Sequence, residues 1–244
     1  MGLVDIMPPI YLSQSLLDCP RKMNKLLSSI ATALVACVTL VSAHAQEVQG
    51  DAKAGATKNT LCMGCHGIVG YQASFPEVHK VPKISGQGAK YIISALNAYK
   101  KGDRKHPTMR GIASTLSDQD MADLGAFYAA SGVVDGTAAL AAAPAATGDA
   151  AALMAKGNCV SCHGASFSAP IDPSYPRIAG QHGDYLFVAL KSYKTDAANA
   201  QVGRNNAIMG GIAKQFSNAE LKQIAAYVSG LPSDLKTVPE NRFR

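Results

Sequence analysis

Two stretches of this chain, Cys62-Met63-Gly64-Cys65-His66-Gly67 and Cys159-Val160-Ser161-Cys162-His163-Gly164, carry one Cys-x-x-Cys-His-Gly pattern, 97 positions apart. The likeness extends past the cysteines. Val81 to Gln87 matches Tyr175 to Gln181, Tyr91 to Tyr99 matches Tyr185 to Tyr193, and Met109 to Ala113 matches Met209 to Ala213. The offset runs 97, then 94, then 100, so small insertions and deletions separate blocks whose order is kept. A repeat this long indicates two tandem domains and not a solenoid, whose period lies at about 20 to 50 residues.

Ahead of the repeats, Arg21, Lys22 and Lys25 precede an uncharged apolar run from Leu26 to Ser42 and then Ala43-His44-Ala45. That order is an export signal, with removal expected after Ala45. Residues 1 to 22 read as an upstream extension, since Met23 stands where such a signal begins. Leu34-Val35-Ala36-Cys37 also resembles a lipoprotein cleavage box, a weaker option because apolar Val38 to Val41 would then follow the lipid. The remainder divides into a first domain at 46–131, an Ala/Pro/Gly-rich linker at 132–148 broken by Pro144, and a second domain at 149–244. From residue 46 on, 20 basic and 15 acidic side chains remain, a bias too weak to argue for nucleic acid.

Within each half the apolar spacing is helical. Met121, Leu124, Phe127 and Tyr128 recur at threes and fours, as do Leu221, Ile224, Tyr227 and Val228. Ser117 with Asp120 and Ser217 with Glu220 resemble capping boxes at the starts of these helices. Tyr91 to Lys100 and Tyr185 to Lys194 read as a second helix pair, the first closed by Gly102, and a shorter helix leads into each Cys pair. No segment alternates at period two, so the fold class is all-α.

Three chemistries use Cys-x-x-Cys: structural zinc, a dithiol couple, and covalent haem. Zinc needs about four N or S ligands at one point, and a thioredoxin-like couple needs a βαβ setting. A pair of ordinary disulfides leaves both His unexplained. Haem explains them: Cys62 and Cys65, or Cys159 and Cys162, form thioethers to the vinyl groups, and His66 or His163 meets the iron. Two haem c groups also account for an aromatic content of only 6% with no Trp, since each ring supplies apolar surface that a small domain lacks.

The second axial ligand decides what the iron does. Met109 and Met209 sit at the same point of each repeat, in what reads as a loop before the capped C-terminal helix, and Met opposite His gives a closed site of raised potential. Met63, inside the Cys pair, Met121, matched by Leu221, and Met154 lack that symmetry. His79, His106 and His182 have no counterpart in the opposite half and read as surface or local hydrogen-bonding residues, with His106 close enough to Met109 to compete in a perturbed site. The carbonyls of Pro82 and Pro176 are positioned to accept the Nδ1–H of His66 and His163; a rigid turn is the alternative. The pairs Gln87/Gln181, Tyr91/Tyr185 and Tyr99/Tyr193 read as propionate partners, as interface residues, or, for the Tyr rings, as core packing. No acid, base or Arg constellation accompanies either Met.

The Cys-x-x-Cys-His-Gly, Pro-x-Ile-x-Gly-Gln and Met-x-Gly-Ile-Ala blocks, repeated in tandem, resemble the cytochrome c4 family over about Asp51 to Pro232. That resemblance implies two tandem class-I-like cytochrome c domains packed about a pseudo-two-fold, in the bacterial periplasm. It implies thioethers at Cys62, Cys65, Cys159 and Cys162, and iron ligands at His66, Met109, His163 and Met209. It further implies single-electron transfer from a donor such as a quinol-oxidising complex to a terminal oxidase, without bond chemistry on a substrate. A haem peroxidase, a dehydrogenase of a small sulfur compound, and a haem subunit of a larger complex are the alternatives. Cys37 leaves room for peripheral membrane association.

Overall fold

The computed structural model describes residues 48–131, 144–195 and 199–239. The expected export signal, Cys37 and the linker as far as residue 143 lie outside the described residues. The first half contains α1 (Ala52–Lys58), α2 (Thr60–His66), strands β1 (Gln72–Ala73) and β2 (His79–Lys80), α3 (Ala89–Lys101), β3 (Arg104–Lys105), α4 (Pro107–Ser114) and α5 (Asp118–Ala130). The second contains α6 (Asp149–Gly157), α7 (Val160–His163), α8 (Gly183–Lys194), β4 (Gly203–Arg204), α9 (Ala207–Ala213) and α10 (Asn218–Ser229). The all-α expectation meets four strands of two residues each, too short for periodicity to reveal: β1 pairs with β2, and β3 pairs across the halves with β4.

Both capping boxes form. The Ser117 hydroxyl accepts from the Asp120 N–H while the Asp120 carboxylate accepts from the Ser117 N–H, and Ser217 and Glu220 do the same at α10. These bonds satisfy donors that the first helical turn leaves free. Helix α3 buries Ile92, Leu96 and Tyr99, one stripe at i, i+4 and i+7, and ends at Gly102 with φ 85. Such a left-handed end suits a residue without a side chain.

Each half has its own core. In the first, Ile92, Leu96 and Tyr99 of α3 meet Ala113 of α4 and Met121, Leu124 and Tyr128 of α5. In the second, Leu186 of α8 meets Leu153 and Met154 of α6, Phe167, Phe216, and Leu221, Ile224 and Val228 of α10. Helix α1 crosses α5 closely because a Cβ on Gly55 would lie 2.2 Å from the Asp123 carbonyl oxygen. After α10 the chain turns back to the first half: the Lys236 N–H donates to the Ser85 carbonyl at 3.0 Å, beside Leu235, which is buried.

Candidate haem-binding sites

Helix α2 carries Cys62, Cys65 and His66, and the Cys62 and Met63 amides close its first turn on the carbonyl of fully buried Asn59. Helix α7 ends on His163, whose N–H donates to the Cys159 carbonyl at 3.0 Å. All four cysteines are free and half-buried, so the disulfide alternative is not the arrangement present. Among the described residues no three His, Cys, Asp or Glu side chains gather at one point. Burial pushes the Cys62 and Cys159 thiols up, so both are protonated at neutral pH.

Each imidazole is oriented by one bond. His66 Nδ1 lies 2.8 Å from the Pro82 carbonyl oxygen, and His163 Nδ1 lies 3.3 Å from that of Pro176. With Nδ1–H donating to a carbonyl, the neutral ring keeps its Nε2 lone pair for a metal. Burial lowers the pKa of both rings, and at His66 the Arg104 charge lowers it further, so neither ring is cationic at neutral pH. His66 also borders a cavity of about 20 Å³ with Met63, Ser85 and Phe127, too small for a porphyrin.

Met109 and Met209 do not occupy loops. Each lies in a short helix, α4 or α9, whose N-cap side chain accepts the methionine's own N–H: His106 Nδ1 at 3.4 Å and Asn206 Oδ1 at 2.9 Å. Ala113 and Ala213, both fully buried, seat these helices on their cores. Met109 and Cys62 pack against the same core cluster. In the second half Cys159 and Ile212, three residues after Met209, share the other cluster, while Met209 itself is half-buried. Half-buried thiols, imidazoles with Nε2 free and helix-held thioethers are the donor set that haem c takes.

Of the two readings of His79, surface or local hydrogen bonding, the second holds: it is buried, its Nδ1–H donates to the Glu77 carbonyl two residues away, and its ring stands 6.1 Å from that of Tyr185. His106 does have an equivalent in the other half, the cap residue Asn206. Gln87 and Gln181 build the contact between the halves reciprocally. The Gln87 amide donates to the Arg177 carbonyl at 2.9 Å and accepts the Arg177 N–H at 2.8 Å. The Gln181 amide donates to the Lys83 carbonyl at 2.9 Å and accepts the Lys83 N–H at 3.0 Å. Lys83 then donates to the Gly180 carbonyl, and Arg177 to that of Gly86.

An arginine constellation exists as well, contrary to the sequence reading. Arg104 and Arg204 each stand five residues before a candidate ligand, Met109 or Met209, and face each other in the β3–β4 pairing. Arg104 donates to the Tyr91 hydroxyl at 3.1 Å and the Tyr185 hydroxyl at 2.6 Å, and Arg204 donates to Tyr185 at 3.2 Å. The signal was in the sequence: the two arginines are 100 apart, the offset of the methionines themselves.

Two helical units, each with a Cys-x-x-Cys-His helix and a capped methionine helix, define a two-domain c-type cytochrome. The sequence model of the family described as Cytochrome c matches twice, at residues 52–129 and 148–232. Cytochrome c4 of Pseudomonas aeruginosa is 31% identical over 86% of this chain and its own full length. The thiosulfate dehydrogenase electron acceptor of Stutzerimonas stutzeri is 30% identical over 79% of this chain and 90% of its own. The crystal structure of reduced recombinant cytochrome c4 from Pseudomonas stutzeri superposes with a TM-score of 0.55 at 27% identity, covering 75% of this chain and all of the other. The chain belongs to the cytochrome c family and, within it, to the cytochrome c4 proteins. It is accordingly a dihaem electron-transfer protein with two covalently attached haem c groups.

Proposed function

We propose that the chain is a periplasmic carrier of single electrons in which Cys62, Cys65, Cys159 and Cys162 hold the two haems and His66, Met109, His163 and Met209 complete their axial pairs. The observation that carries this reading is the bond from each His Nδ1 to a proline carbonyl. It leaves Nε2 as the one ring nitrogen for iron and fixes the plane in which the ring approaches. The haem supplies the one-electron ferrous/ferric couple. The chain's own contribution is rigidity: caps at His106 and Asn206 fix α4 and α9, so the thioethers are presented without reorganising the helix. The domains at 46–131 and 149–244, joined by 132–148, each carry one complete donor set.

The expected donor is a quinol-oxidising complex and the expected acceptor a terminal oxidase. A second donor class is favoured by the relative described as a thiosulfate dehydrogenase electron acceptor, which makes a dehydrogenase of small sulfur compounds the alternative source of electrons. An enzymatic role of its own would need an open iron position. The test is the exported holoprotein: pyridine haemochrome gives two haems per chain, and the ferric form shows the sulfur-to-iron charge-transfer band. Met109→Leu and Met209→Leu each remove about half of that band by the two-site logic. Carbon monoxide binding by the resting reduced wild type would overturn the closed-site reading.

A further inference from the structure

Beyond α10 the chain leaves its own half. Leu231 still belongs to the second core, but the Lys236 N–H donates to the Ser85 carbonyl of the first half in an antiparallel bridge, and Leu235 beside it is only 4% exposed. The crossing is close: Gly86 has φ 84, and a Cβ there would lie 2.6 Å from the Asp234 carbonyl oxygen. Farther along, half-buried Val238 forms one wall of the cavity of about 20 Å³ that His66 borders, and every other lining residue among those described belongs to the first half. A cavity of that size has room for a single water.

This segment touches the stretch of chain that orients His66. The Pro82 carbonyl oxygen lies 2.8 Å from His66 Nδ1, the Ser85 carbonyl accepts from Lys236 at 3.0 Å, and the Gly86 N–H donates to the Tyr128 carbonyl at 2.8 Å. The internal repeat does not account for the contact. At the offset of 100 that aligns α10 with α5, Leu235 and Val238 correspond to Asp135 and Ala138, a charge and a single methyl group.

We propose that residues 233–238 cover the His66 side of the first haem site: Leu235 anchors the cover, Val238 shields the imidazole from solvent, and the Lys236 bond braces the segment from Pro82 to Gly86. The proposal rests on the dihaem reading, in which His66 is an iron ligand. Leu235 and Val238 are positioning residues that act on the iron only through the ring. Water admitted behind the ring competes for the Pro82 carbonyl, and both solvent access and the hydrogen bond of a ligating imidazole tune a metal site. The end of one half thereby governs the site of the other.

The test is solvent exchange of the two imidazole Nδ1 protons in the ferric holoprotein, each resolved by heteronuclear NMR as a signal shifted by its iron. Leu235→Ala removes a buried anchor and displaces the opening of the segment by about tenfold or more, so the His66 proton exchanges faster by that factor while the His163 proton keeps its wild-type rate. Leu235→Met, which refills the space, restores slow exchange at His66. Equal acceleration at both rings would reduce the effect to general destabilisation, and no acceleration at His66 would mean that the segment covers nothing; either overturns the proposal. Should Leu235→Ala fail to fold, Val238→Asp carries the same expectation, since a carboxylate draws water to the cavity wall. The Lys236 backbone amide is a readout independent of iron: it is protected in the wild-type holoprotein, and exchange there at the rate of an unstructured chain would also overturn the cover. Wild-type protein without an iron-shifted His66 signal would contradict the ligand reading, and the cover would then stand or fall on the Lys236 amide.

Discussion

Asp123 is a carboxylate buried between α1 and α5, with its side chain 3% exposed. It accepts from Lys58 Nζ at 2.6 Å, from the Asp51 N–H at 2.8 Å and from Gln119 at 2.8 Å. The Lys58 bond first, and the Asp51 amide second, hold its pKa below the ordinary carboxylate value. A carboxyl with a depressed folded-state pKa stabilises the fold fully above its unfolded value, about 3.9, and that contribution is lost as pH falls through the folded value. Asp123→Asn should therefore lower the urea midpoint at pH 7 and flatten its decline below pH 4; parallel curves for the two proteins would count against the assignment. The second half has Gln223 at the matching position, so this one contribution to acid sensitivity has no equivalent there. At this scale the candidate site stands out in the sequence, because cysteine and histidine announce themselves by spacing. Arg104 and Arg204 do not, since an arginine in sequence defaults to a solvated surface, and only the matching offset of 100 residues sets these two apart.

Helices α4 and α9 show how an element escapes a sequence reading. They span eight and seven residues, barely two turns, and contain Gly111 and the pair Gly210-Gly211, so neither periodicity nor propensity marks them. What starts them is local chemistry: Pro107 at the first turn of α4, and the side chains of His106 and Asn206 accepting a backbone N–H. Removing such a cap costs about 1 kcal/mol. Asn206→Ala should lose that much in thermal unfolding, with the Met209 share of the sulfur-to-iron band disappearing at a lower temperature than the Met109 share. His106→Ala should do the same to Met109, while His106→Asn, which copies the other half's cap, should leave stability within a few tenths of a kcal/mol of wild type. Equal losses for His106→Ala and His106→Asn would mean that the ring acts through its edge contact with Phe75, 5.8 Å away, and not as a cap. The longer helices were easier: α3, α5, α8 and α10 each bury a stripe long enough to register, and the Ser-x-x-acid boxes mark where two of them begin.

The repeat foretold two similar halves but not how they would meet, because a surface joining two copies has no period of its own. The structure joins them by equivalent residues used in exchange: Gln87 pairs with the Arg177 backbone, and Gln181 with that of Lys83. This is the pattern of a two-fold contact, in which one patch serves both sides, enclosed within a single chain. Both glutamines are buried, at 3% and 4% exposure, so truncating either leaves a backbone N–H and a carbonyl without partners, at a cost of about 1 to 3 kcal/mol. The ion pairs beside them, Lys80 with Asp184 and Lys191 with Glu77, are partly exposed and individually worth less. The contact should therefore open as a unit. In hydrogen exchange on the holoprotein, Gln87→Ala should deprotect the Arg177 amide, which it touches, and also the Lys83 amide, which it does not; Gln181→Ala should do the converse. If each variant exposed only its own partner, the two bonds would be independent fasteners and the halves would not be coupled through this contact.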